Sequence, residues 1–134
     1  MREILFRGKT EKGEWVFGDL LTPDQFGNGY SIVDRLIAAP EQNVYDVVPD
    51  TVGQYTGLTD KNGTKIFEGD IVVVNVKGRK TVCKVAYAEV VAHFQLWQSD
   101  TLPYTPTSID FGNYTCEVIG NIYDNPELLR SDTE

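Results

Sequence analysis

The residues with the best claim to chemistry are Cys83 and His93, a thiol and an imidazole close enough in sequence to form a nucleophile and its base. Such a thiol must be activated by a neighbouring base or a depressed pKa. Asp60, Glu68 and Asp70 are the next group. Paired carboxylates do general acid and base work when a cleft separates their pKa values, but turn formation and solvated charge explain these three more simply. A third group, Lys77, Arg79, Lys80 and Lys84, has no acidic residue around it between Ile71 and Ala88. It suits a phosphate backbone, or more simply the solvated tip of a hairpin that protects an edge strand. A zinc site needs about four N, S or carboxylate ligands, commonly in close pairs, whereas this chain has 1 histidine and 2 separated cysteines. It has no phosphate-cradling glycine loop followed by lysine and no Gly-x-Gly-x-x-Gly after a strand. The expectation is a protein that is not an enzyme and uses no cofactor or metal.

The elements that would hold these residues are strands. Apolar residues alternate or cluster in short runs, with Gly, Asn, Asp and Pro between them, which is an all-β pattern. Ile4 and Phe6, a turn from Lys9 to Gly13, then Trp15 and Phe17 predict a first hairpin. Thr22 to Gly29 reads as a loop and Tyr30 to Val33 as a strand. Asp34 to Ala39 has an N-cap residue and a Pro40 stop, the marks of one helical turn. Asn43 to Val48 is a further strand ending at Pro49-Asp50. Ile71 to Val74 is apolar on both faces, as a covered interior strand should be. After a Lys77-Gly78-Arg79 turn, Thr81 to Tyr87 and Val90 to Trp97 form two more strands. A two-residue connection at Ala88-Glu89 would place Tyr87 opposite Val90 and Cys83 opposite Phe94, with His93 on the other face opposite Lys84. Ala-Glu lacks the turn chemistry of so tight a link, which favours a longer one. Ser99 to Asn113 reads as a long irregular loop and a place to look for a partner surface. Tyr114 to Ile119 is the last strand, and Asn125-Pro126-Glu127-Leu128-Leu129 has the start signals of a short C-terminal helix.

The 134 residues fit one domain, residues 1–134, with no internal repeat or linker. Its 20 acidic and 12 basic residues give a net charge of -8, which repels phosphate backbones at long range and makes nucleic acid an unlikely partner. Two cysteines are too few for a disulfide scaffold, so Cys83 and Cys116 read as reduced and buried. No apolar run reaches the roughly 18 residues of a membrane helix, and the charged start Met1-Arg2-Glu3 lacks a signal-type run. A soluble, cytoplasmic protein with no membrane partner is expected.

The densest signal is the run from Gln54 to Val72. In it Asp60 starts a turn through its side chain, Asn62-Gly63 tolerates positive φ, and Glu68-Gly69-Asp70 turns the chain into the Ile71 strand. Gln54-Tyr55-Thr56-Gly57-Leu58, the Asp60-Lys61-Asn62-Gly63 turn and Glu68-Gly69-Asp70-Ile71-Val72 together closely resemble the YopX family of phage and prophage proteins. The opening Arg2-Glu3-Ile4-Leu5-Phe6-Arg7 and the closing stretch from Val118 to Leu129 support the resemblance. It implies a mostly β fold, phage or prophage origin in a bacterial cytoplasm, and allows homo-oligomers. It carries over no catalytic residue, since the family has none assigned.

The expected architecture is a small SH3-like or related antiparallel β barrel with a short C-terminal helix. The expected function is a non-catalytic, homo-oligomeric module that binds a protein partner. The surfaces considered for it are Tyr55, Asp60 and the basic hairpin of Lys77, Arg79, Lys80 and Lys84. The alternatives are nucleic-acid binding through residues 77–84, as barrel folds can do with nearby aromatics, and an enzyme with an unrecognised site.

Overall fold

The computed structural model describes residues 3–23, 29–35, 43–76, 78–88, 93–98, 102–103 and 115–129. They fall into two compact units, Met1–Gly57 and Leu58–Glu134. The first holds β1 (Phe6–Lys9), β2 (Trp15–Leu21), β3 (Ser31–Val33), β4 (Val44–Asp46), a 3-10 turn at Pro49–Thr51 and most of β5 (Gly53–Thr59). The second holds β6 (Lys65–Phe67), β7 (Asp70–Val76), β8 (Arg79–Ala88), β9 (His93–Gln98), β10 (Leu102–Pro103), β11 (Thr115–Asn121) and a 3-10 turn at Pro126–Leu129.

All described pairings are antiparallel, in two sheets ordered β4-β3-β2-β1-β5-β6 and β10-β9-β8-β7-β11. The expected closed barrel does not form among the described residues. Closure needs a continuous ladder around the barrel, and three of the four end strands have only 3 residues (β4, β6) or 2 residues (β10). The expected C-terminal helix is a 3-10 turn of 4 residues. Its cap residue faces the wrong way to start a longer helix: Asn125 Oδ1 accepts from the Asn121 N–H at 3.2 Å, back toward β11.

The first hairpin forms as the sequence predicts, with Gly13 N–H donating to Thr10 carbonyl at 2.9 Å. The predicted helical turn at Asp34 to Ala39 lies largely outside the described residues. Between β8 and β9 the register is corrected. Tyr87 pairs with Phe94 and Cys83 with Gln98, so the connection spans 89–92 rather than two residues. The shift is even, so the alternation of faces is kept. β10 lies within the stretch Ser99 to Asn113 that reads as a loop; its Pro103 is tolerated because β10 is an edge strand.

The apolar core of the second unit contains Ile66, Val72, Val74, Cys83, Val85, Leu96 and Cys116, with Val118 packed against it. Cys83 pairs with Val72 and Cys116 with Val74, on either side of β7. Two strand spacings of about 4.8 Å separate the thiols' strands, too far for a disulfide. Both are free and buried. Among the described residues, no helix is long and apolar enough to cross a membrane.

Candidate functional site

The sequence-predicted surface residues scatter. Tyr55 on β5 is 8% exposed, and its N–H donates to Leu5 carbonyl at 2.8 Å. Asp60 is 7% exposed and works inside the second unit. Its Oδ1 accepts from the N–H groups of Asn62 at 2.8 Å and Thr64 at 2.9 Å, which closes the β5–β6 turn. Its Oδ2 accepts from Val118 N–H at 2.9 Å, while Lys61 N–H donates to Cys116 carbonyl at 3.0 Å. The turn thus covers the outer edge of β11, beside the register shift between Val118 and Gly120. Burial pushes the Asp60 carboxyl up, but the three N–H bonds and the nearby Lys61 charge outweigh it and hold the pKa below its ordinary 3.8.

In the basic hairpin, Lys80 is exposed opposite Asn75, and Lys84 is half-buried opposite Ile71. Arg79 opens β8 opposite Val76, and Lys77 lies outside the described residues. Cys83 and His93 are not brought together. His93 pairs with Ala88, and Cys83 lies five residues further along β8, about 16 Å at the usual strand rise. Burial pushes the Cys83 thiol up to about 12. Cys116 is also pushed to about 12, first by burial and then by the charges of Asp60, Cys83 and Asp70. At pH 8 only about one part in 10⁴ of either thiol would be thiolate, so we expect alkylation at least about a thousandfold slower than in the unfolded chain. Iodoacetamide labelling read by mass spectrometry checks this, and rapid labelling of the native chain would contradict it.

Asp70 is 2% exposed, and its Oδ2 accepts from Phe67 N–H at 2.7 Å, holding the turn before β7. Among the described residues no group of three metal-ligating side chains converges.

The feature with the character of a recognition surface lies in the first unit. Along β2, Phe17, Asp19 and Leu21 are exposed and alternate with Val16, Gly18 and Leu20, which are less so. Register carries the same face onward: Asp19 pairs with Val33, Leu21 with Ser31, Val33 with Val44 and Ser31 with Asp46. Phe17 is 44%, Leu21 48% and Val44 45% exposed. Arg35 Nε donates to Asp19 Oδ1 at 2.7 Å, and its Nη2 donates to Ile4 carbonyl, so the guanidinium is pinned beside the apolar residues. The reverse face carries Ile32, 0% exposed. At the far end of β1–β2, Trp15 is stacked by Arg7 at 4.6 Å and lies 5.8 Å from the Lys9 ammonium.

In the sequence Phe17 reads as part of a hairpin, with nothing in the alternation to set this face apart. Both faces of β2 carry large apolar residues, so alternation alone does not choose between them. The signal is Asp19, flanked by Phe17 and Leu21: a carboxylate labels its own face as the outer one.

Comparison with known proteins agrees with this architecture. The family model described as YopX protein matches residues 5–130. The chain belongs to the YopX family. A similar solved structure is the crystal structure of protein EF1440 from Enterococcus faecalis, at 27% identity and a TM-score of 0.62, covering 96% of this chain and 99% of that one. No curated protein matches the chain.

Several of the stretches in which this chain resembles YopX proteins bond to one another within the second unit. Besides the Asp60 turn on β11, Gly69 donates its N–H to Val85 carbonyl at 2.8 Å and accepts from Ile122 N–H at 2.9 Å. Asn121 Oδ1 accepts from the N–H groups of Tyr123 and Asp124 at 3.0 and 2.9 Å. Gly120 leaves room for Asn125, because a Cβ there would sit 2.6 Å from Asn125 Oδ1. The YopX-like turns of the second unit are therefore joints of the fold, and the exposed apolar face lies within the residues 5–130 that the family model matches.

Proposed function

We propose that this YopX protein is a non-catalytic β module that binds a protein partner through the outward face of β2, β3 and β4. The observation that carries the reading is the exposure of Phe17, Leu21 and Val44 on one face, with Asp19 and Asp46 between and beside them. Aromatic and aliphatic side chains with a charged rim are the composition of protein interfaces. The family's phage association and a bacterial cytoplasm belong to this reading, as does a homo-oligomer, which size exclusion with light scattering would test.

A second reading is nucleic-acid binding through the basic hairpin, favoured by the exposure of Lys80 and opposed by the net charge of -8. One experiment separates the two. The chain with Phe17→Ser and Leu21→Ser should keep its stability within about 0.5 kcal/mol, as surface substitutions do. It should also lose the proteins that the natural chain captures from lysogenic host cells. Capture that survives this change but is lost with Lys80→Glu, together with salt-sensitive binding of single-stranded DNA, would replace the first reading by the second.

A further inference from the structure

β4 ends the first sheet, and its register fixes where its backbone groups point. Asp34 N–H donates to Asn43 carbonyl at 2.8 Å and Val47 N–H to Tyr30 carbonyl at 3.1 Å. Between them Ile32 stands opposite Tyr45. In an antiparallel ladder, directly opposite pairs alternate between bonded and non-bonded, so Tyr45 is bonded to Ile32 while Val33–Val44 and Ser31–Asp46 are the non-bonded pairs. The N–H and C=O groups of Val44 and Asp46 therefore point away from β3. No strand takes them among the described residues.

The side chains of the same two residues are both exposed. Asp46 Oδ1 accepts from Ser31 Oγ at 3.0 Å, and among the described residues the carboxylate has no cationic partner. A short edge strand bearing a charge is a common guard against unwanted pairing. Here the charge sits two residues from an exposed valine, and the apolar face continues inward through Val33 and Leu21. The edge thus offers backbone donors and acceptors, an apolar contact and, among the described residues, a negative charge without a cation, all in one line.

We propose that β4 receives an extended segment of a partner protein as an added antiparallel strand, with a basic side chain opposite Asp46 and an apolar one opposite Val44. The incoming residues would meet Val44 and Asp46 at bonded positions, so their side chains fall on the same face, giving a basic-x-apolar spacing. Main-chain bonds supply the affinity of such strand addition, and alternate side chains supply its selectivity. The net charge of -8 draws basic segments. This rests on the protein-binding reading above and narrows it to an extended basic and apolar peptide.

Amide hydrogen exchange on the dilute full chain gives the first test. The Val44 and Asp46 amides should exchange rapidly while that of Tyr45 is protected. Protection of all three would mean that the chain covers its own edge; it would overturn the proposal and leave the apolar-face reading standing. The second test selects a displayed random heptapeptide library on the full chain. Enriched peptides should carry Lys or Arg two residues from Val, Ile or Leu, protect the Val44 and Asp46 amides, and bind Asp46→Lys at least about tenfold more weakly. Val44→Pro, which removes an outward donor and leaves the Tyr45–Ile32 bonds, should weaken them as well, and Asp46→Lys keeps the test valid if that variant fails to fold. No enrichment, or peptides that bind both variants as tightly as the natural chain, overturns the strand-addition proposal. Peptides lost only with Phe17→Ser and Leu21→Ser assign binding to the face and not the edge.

Discussion

Replacing Gly18 by alanine is expected to destabilise the first unit by about 3 kcal/mol, a large share of the stability of a small domain. A Cβ at this position would sit 1.8 Å from the carbonyl oxygen of Val33, 2.7 Å from its carbonyl carbon and 3.2 Å from Asp34 Cα. All three are main-chain atoms, so no rotamer change can relieve the overlap. β3 would have to move away from β2, at the cost of the Asp19–Val33 and Leu20–Ile32 pairing. Gly8 supplies the contrast. Its added Cβ would meet Val47 Cβ and Cγ atoms at 2.9 to 3.0 Å, a smaller overlap and with a side chain, not the main chain, so Gly8→Ala should also destabilise but by less, roughly 2 kcal/mol. Urea denaturation, with amide exchange at Ile32 reporting on this unit, checks both. Equal effects of the two substitutions would show that the Val33 carbonyl does not hold the place described.

Asp60→Ala is expected to cost the second unit about 3 kcal/mol, and to remove part of its sensitivity to acid. The carboxylate accepts three backbone N–H bonds, two within its own turn and one from Val118, and bonds to a charged acceptor are the stronger kind. Asp60→Asn should cost less, since an amide oxygen can still serve Asn62 and Thr64 while its NH₂ faces the Val118 donor. Because folding lowers the carboxyl pKa below 3.8, the folded state binds fewer protons than the unfolded state across this window. The stabilisation is then fully present above the unfolded pKa and is lost as pH falls through the folded one. Urea midpoints at pH 7 and pH 3 should accordingly differ more in the natural chain than in Asp60→Ala. An identical acid dependence in both would remove Asp60 from this role.

Much of the fold is legible residue by residue, where the determinants are local. The Thr10 to Gly13 turn, the Asp60-to-Gly63 turn and the Gly69-Asp70 entry to β7 follow from turn chemistry within a few residues. Burial of Ile71, Val72 and Val74 follows from an apolar run with no polar face. What the sequence does not display is non-local. The 89–92 connection has no strong turn pair, so alternation fixed the faces of β8 and β9 but left their register free to slide by an even number of residues. Whether a set of strands closes into a barrel depends on pairings between its ends, which no window contains. Asn125 reads as a helix cap, and only its contact with Gly120 and Asn121 turns it back toward the strand. The candidate surface was the least legible part, because Phe17 and Leu21 have the same residue types as a core and differ from it only through Asp19.

The bond between Asp60 and Val118 joins residues 58 apart in sequence. Ribosomes add about 5–20 residues per second, so the carboxylate waits roughly 3–12 s after its own synthesis before its last donor exists. Until then the carboxylate has only its two local donors, Asn62 and Thr64, within reach, and Lys61 N–H has no Cys116 carbonyl to meet. The Asp60 turn is thus written early and finished late: the second unit can be sealed only once residue 118 has been made.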